Sequence, residues 1–281
     1  MMNLPNIKNL YQNKLTLGLI IVIILILIGG IFAFQKFISS RNETPLEEID
    51  LTFDPEGPYA LLYPRRDGNA LVLNIKRTGS YDQIKYELSY NSEGIDRGAS
   101  GDINTKEKKG EYEQEILFGS CSTGGKCVYD KGVENGTLIL HIRKSREAFR
   151  MVTQWHLQQP EIALGSLTSG DNHFLYKVSS GSVELALVKY TITNDLTGAP
   201  KLPSGKSILG KVYSVNSPNT KTLPKGSVSV ELAENPPAGS QLARFDEVKN
   251  SWVPYETKIE SSKLTAETDT GGVFAILVPS K

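Results

Sequence analysis

The hydrophobic pattern of this chain changes character once. From Leu15 to Phe34 it reads LTLGLIIVIILILIGGIFAF, with no charged side chain. A helical run of this length covers about 30 Å, the depth of a bilayer's hydrocarbon core, so the pattern predicts a transmembrane helix over residues 15–35. The run outlasts the apolar core of a signal peptide. Phe34-Gln35-Lys36-Phe37 follows it where small residues would mark cleavage, so a retained anchor is expected. Beyond the run the period becomes that of strands. Ala70–Lys76, Ile84–Tyr90, Tyr112–Phe118, Thr137–Ile142 and Phe149–Leu157 are strand-length runs separated by Gly, Pro, Asn and Asp, and many alternate with a two-residue period.

The last two of these runs carry the most information. The polar reversal Arg143–Ala148 between them predicts a hairpin in which Ile142 pairs with Phe149. Leu138, Leu140 and Ile142 then share a face, as do Phe149, Met151 and Trp155, and Trp155 is expected to be the largest buried side chain there. After a polar connection at 159–170, further runs follow at Phe174–Val178, Val183–Thr193, Lys211–Val215, Ser227–Leu232, Gln241–Phe245, Lys258–Ile259 with Leu264–Glu267, and Val273–Val278. Leu196–Ser207 reads as a Gly/Pro loop between two of them. The expected layout is a cytoplasmic stub at 1–14, the span at 15–35, a tether at 36–50, and two tandem β-sandwich domains at 51–165 and 166–281.

The second set has a recognisable order: Leu223-Pro224 before a strand, Leu242–Asp246 leading to Trp252-Val253-Pro254, and a closing strand through Phe274-Ala275. From Gly210 onward this order resembles the ZU5-like sandwich modules of prokaryotic cell-surface proteins. The resemblance implies an Ig-like/ZU5-like sandwich serving as a spacer or as a protein-binding and adhesive domain, with no active site to carry over. The strands between residues 60 and 157 match no family by this reading.

Charge narrows the picture. The chain holds 31 basic and 31 acidic residues. Without the clustered positive charge that releases counterions, it is not expected to bind nucleic acid. Lys8 and Lys14 precede the apolar run and Lys36 and Arg41 follow it, a tie by the positive-inside rule. Glu43, Glu47, Glu48 and Asp50 all lie on the far side, and the only two cysteines lie beyond them. Both facts place the N-terminus in the cytoplasm and the C-terminal domains outside, in a single-pass protein of the cell membrane whose residues 15–35 contact the lipid bilayer.

Candidate chemistry is sparse. Cys121 and Cys127 flank a five-residue turn, Ser-Thr-Gly-Gly-Lys, and are expected to form a structural disulfide. A redox pair would need C-x-x-C, and a structural zinc site four ligands. Gly124-Gly125-Lys126 and Gly205-Lys206-Ser207 lack the upstream glycine of a phosphate-binding loop, since Ser120 and Pro200 stand there, so no nucleotide is expected. In the predicted register His141 faces Arg150 while His156 lies about 20 Å along the second strand, too far to share a metal. No G-x-S-x-G elbow occurs, and the acids Asp102, Asp171, Asp246 and Asp269 are scattered among turns. Without a D-x-D-x-D-G string, calcium at a sandwich end has no motif behind it. Arg143, Lys144, Arg146 and Arg150 form a basic cluster that reads as a charged hairpin tip discouraging edge association. Asn42-Glu43-Thr44 and Asn135-Gly136-Thr137 match the N-glycosylation pattern, which matters only in a glycosylating host.

The sequence therefore points to a membrane-anchored, extracytoplasmic, all-β interaction or scaffold module of the cell envelope. No enzyme, cofactor or metal is expected, and its partner is an envelope protein. Two alternatives stay open: a carbohydrate or cell-wall binder using Trp252 as a stacking ring, and an envelope hydrolase whose residues converge from distant loops.

Overall fold

Alternation and turn chemistry build an almost wholly β structure. The computed structural model describes residues 22, 23, 26, 47–51, 57–107, 110–158, 165–182, 184–196, 199–218 and 222–280. In chain order the strands are β1 (Glu48–Leu51), β2 (Tyr59–Pro64), β3 (Ala70–Lys76), β4 (Gln83–Ser92), β5 (Ile95–Ile103), β6 (Glu111–Leu117), β7 (Gly119–Cys121), β8 (Cys127–Tyr129), β9 (Asn135–Lys144) and β10 (Glu147–Gln158). They continue as β11 (Ser166–Thr168), β12 (Phe174–Val178), β13 (Tyr190–Asn194), β14 (Lys206–Asn216), β15 (Thr222–Glu231), β16 (Gln241–Asp246), β17 (Ser251–Pro254), β18 (Lys258–Glu260), β19 (Lys263–Thr270) and β20 (Gly272–Pro279).

The central feature is one ten-stranded sheet with the order β17-β16-β20-β14-β13-β10-β9-β4-β5, the tenth strand, β1, pairing with β10 off this path. Here the expected fold class is corrected. The two tandem sandwiches of the sequence reading share this sheet: β10 pairs antiparallel with β13, Trp155 opposite Thr193 and Leu157 opposite Thr191, across the connection at 159–165. Residues 48–281 accordingly form one compact unit. The helix expected at 15–35 is corrected too. Almost all of that segment lies outside the described residues, and among the described ones no helix is long and apolar enough to cross a membrane.

The hairpin of β9 and β10 has the expected register, Ile142 opposite Phe149 and Leu140 opposite Met151, and Trp155 is 1 % exposed. Its apolar face packs against the three-stranded sheet β2-β3-β6 through Leu73, Ile75, Leu88, Leu138 and Met151. The other half of the large sheet meets the five-stranded sheet β11-β12-β15-β19-β18 through Phe174, Tyr176, Ile192, Tyr213 and Phe274.

Register shows that these two layers lie on opposite faces. Trp155, in the first core, is opposite Thr193, whereas Ile192, in the second core, is opposite the next residue, His156. Successive strand residues point to opposite sides. Among the described residues no layer therefore covers the face of β10-β9-β4-β5 that carries His156, and the five-stranded layer ends beside it as a step.

A third cluster binds the halves together. Tyr59 and Leu61, on the side of β2 turned away from Ala60 and Leu62, pack with Val212, Ala243, Phe245 and Ala275 from the far half of the large sheet. Asn216 donates to the Leu62 carbonyl at 3.2 Å across the same seam. The end of the expected tether also has a structure: β1 adds in parallel to β10, Ile49 opposite Phe149, with Arg150 gripping Asp50 at 2.6 and 2.9 Å.

Candidate functional site

The uncovered face and the step beside it enclose a cleft of about 720 Å³. Its floor follows from strand alternation. Residues on β4, β9 and β10 that do not point into the core must point here. In register they form one polar row, Gln154 opposite Thr137 and Thr137 opposite Ser89. Asn194, at the end of β13, continues the row beside Gln154. One step along, His156 is opposite Asn135, and Asn91 opposite Asp96. Ser89, Asn91, Asp96, Asn135 and Gln154 are exposed.

The wall is the turn between β11 and β12, which brings Gly170 and Asp171 to the rim. Gly170 lies against the Asn135 side chain, where an added Cβ would be 3.4 Å from the oxygen, an ordinary contact. A steric constraint operates in the floor. A Cβ at Gly136 would sit 2.1 Å from the Ser89 carbonyl oxygen and 2.3 Å from the Trp155 ring, so only glycine lets the indole cross that strand.

Hydrogen bonds hold the lining. Thr137 donates to Gln154 Oε1 at 2.9 Å, Asn91 donates to Asp96 at 3.1 Å, and His156 Nδ1 lies 2.8 Å from Asn135 Oδ1. Asp171 is pushed up by its partial burial. Ser169, the His173 backbone N–H and Lys211 outweigh that burial and hold its carboxyl below the usual range. Lys211 also reaches Asp195 at 3.0 Å, so Asp171 and Asp195 share one cation. Burial lowers the His156 pKa, against the pull of Glu134, and keeps the imidazole neutral at neutral pH. Two buried polar atoms lack a hydrogen-bond partner among the described residues: Asn194 Oδ1, on the cleft side of the sheet, and Trp155 Nε1, whose indole lies on the opposite, core side.

The residues singled out by sequence are dispersed. Cys121 and Cys127 form the expected disulfide, across the turn joining β7 to β8. Trp252 is 6 % exposed. Its indole packs with Phe245 and donates to the carbonyls of Pro200 and Lys201 at 3.3 and 3.1 Å. A ring held this way offers no stacking face, which removes the reason for reading it as a ligand residue. His141 lies on β9 opposite Arg150, between Glu48 and Glu87, six positions from the row of His156. His173 is exposed, beside the Glu231 carbonyl.

Asp102 faces Lys85, Asp246 caps a turn through Val248 and Lys249, and Asp269 accepts from Thr270. Of these four acids Asp171 alone lines the cleft. Among the described residues no three His, Cys, Asp or Glu side chains come together as a metal-binding group. Sequence reasoning passed over the cleft residues because Ser, Thr, Asn and Gln on an outward strand face look like ordinary solvated positions. In comparisons with known proteins, no family model and no curated sequence matches this chain.

Proposed function

We propose that this chain is a non-enzymatic binding module of the cell envelope that engages its partner through the polar cleft on the uncovered half of the large sheet. The observation that carries this reading is the cleft itself. Half of a ten-stranded sheet is left open, lined with hydrogen-bonding side chains, and bordered by a built step.

The lining is suited to holding rather than reacting. Asp171 is held ionised by three donors and is no proton donor at neutral pH, and Asp96 accepts from Asn91. His156 is neutral, with Nδ1 engaged by Asn135. A placement outside the cytosol fits the Cys121–Cys127 disulfide, which persists in oxidising compartments. The uncharged run at 15–34 supports contact with the membrane's lipid.

Hydroxyl-radical footprinting of the full-length protein, with and without solubilised envelope material from the producing cells, tests the reading. Protection of 89–91, 135–137 and 154, with Val248 unchanged as an exposed reference, is the expected outcome. Uniform labelling in both samples would refute it.

A further inference from the structure

Which chemistry the cleft takes follows from its lining and from the direction of its rows, and the argument rests on the binding-module reading above. Gln154, Thr137 and Ser89 stand directly opposite one another on three neighbouring strands, and Asn135 and Asn91 occupy the next outward positions of β9 and β4. Strand spacing is about 4.8 Å, so a ligand running across the strands meets a fresh hydrogen-bonding group at that interval. Amides and hydroxyls each offer donor and acceptor together. The matching ligand group is one that also does both, and a ring carrying neighbouring hydroxyls presents such groups in pairs.

Other ligand classes fit less well. The charges at the rim are balanced or tied: Arg97 lies 3.8 Å from Asp130, Asp96 is bonded to Asn91, and Asp171 to Lys211. The cleft thus presents no net positive field for a phosphate group. An extended peptide is read along a strand edge, with apolar pockets for alternate side chains. Here the two aromatic residues of the lining, Trp155 and Tyr90, are 1 % and 7 % exposed and offer no such pocket.

The orphaned acceptor points the same way. Asn194 Oδ1 belongs to a residue that is 3 % exposed, stands opposite Gln154 in the polar row and lines the cleft. Leaving such a group unpaired costs about 1–3 kcal/mol. A hydroxylated ligand that brings its own donors and acceptors, or an ordered water between, recovers part of that.

We infer that the cleft is a glycan site: it takes a neutral, unbranched oligosaccharide segment laid across β10, β9 and β4, with sugar hydroxyls bonded to Gln154, Asn135, Asn91, Thr137 and Ser89.

The test uses full-length protein in a detergent without a sugar headgroup, titrated calorimetrically with cellotetraose and with chitotetraose. At least one should bind saturably. Gln154→Ala and Ser89→Ala, both at exposed positions, should each weaken binding by up to about tenfold, the loss of one neutral hydrogen bond, with thermal unfolding unchanged. Val248→Ala should bind as the parent does. Absence of binding by both sugars, or binding indifferent to Gln154 and Ser89, overturns the glycan assignment. Saturable binding of tetra-alanine at the same residues in place of either sugar would overturn it in favour of a peptide. If envelope material still protects the cleft while both sugars fail, the glycan assignment alone falls. If neither protects it, the binding-module reading falls as well.

Discussion

Gly136 and Trp155 are a matched pair. The indole lies across the glycine because nothing projects there, and the ring then stacks on Phe118 with centroids 5.9 Å apart. Replacing Gly136 with Ala forces a methyl group into the ring and the Ser89 carbonyl. Overpacking of this kind costs about 1–3 kcal/mol. Gly136→Ala should therefore lower the urea midpoint without changing the slope of the transition. A midpoint equal to the parent's would show that both the indole and the Ser89 backbone give way at no cost.

A second residue-scale effect sits in the β2–β3 turn. Arg65 donates through Nε and Nη2 to the two oxygens of Asp67 at 2.8 and 2.7 Å, and the Asn69 backbone N–H adds a bond at 3.0 Å. The Arg65 guanidinium, first among these, holds the Asp67 carboxyl down to about 2. A carboxyl whose folded pKa lies below its unfolded value, about 3.9, stabilises the protein above that value. The contribution is lost as pH falls from about 4 through 2. Since both side chains are partly exposed, solvent screening keeps it modest. Asp67→Asn should lower stability at pH 7 and flatten this part of the acid limb. Parallel stability–pH curves for parent and variant would count against the pairing.

At the scale of elements, the disulfide hairpin and the open sheet edge behave differently. The loop closed by Cys121 and Cys127 is short, their separation being 6 residues, so the chain-entropy estimate for its constraint is only about 2 kcal/mol. Cys121→Ser with Cys127→Ser should leave the large sheet's amide protection intact and speed exchange in β7 and β8. Loss of protection across β4 and β9 would mean that the hairpin supports the sheet. β5 closes the large sheet at one end, is mostly exposed, and carries Asp96, Arg97 and Asp102. Charged edge strands resist pairing with other chains. The basic cluster at the β9–β10 turn is partly neutralised: Arg150 is paired with Asp50, and Lys144 lies over the Tyr81 ring at 5.8 Å.

At the scale of the molecule, shared strands decide cooperativity. β10 and β13 join the two halves through backbone hydrogen bonds, and Tyr59 and Leu61 join them through a common apolar cluster. Residues 48–281 should unfold in one calorimetric transition with equal van't Hoff and calorimetric enthalpies. Leu61→Ala, at a side chain 1 % exposed, should lower that single transition by about 2–5 kcal/mol without splitting it. Two separated transitions would show that the halves fold independently.

Local chemistry is what the sequence carried by itself. Ala70–Lys76 is a strand at the stated bounds because its apolar residues leave no other way to bury them, and the Ile142–Phe149 register follows from a polar reversal between two alternating runs. The disulfide was readable from two cysteines and the turn between them. Long-range pairing was not readable. β5, with the sequence IDRGASGDI, has no apolar period and becomes a strand because β4 supplies its hydrogen bonds. Only part of the predicted run 183–193 is a strand, Tyr190–Asn194, where β10 and β14 flank it. Next to a loop, Trp252 reads as a surface ring by sequence, and only the packing of Phe245 and the loop carbonyls of Pro200 and Lys201 puts it inside. The cleft belongs wholly to tertiary structure. Its rows are assembled from strands far apart in the chain, and which face of a sheet stays uncovered depends on where the neighbouring layers stop, a quantity no local pattern encodes.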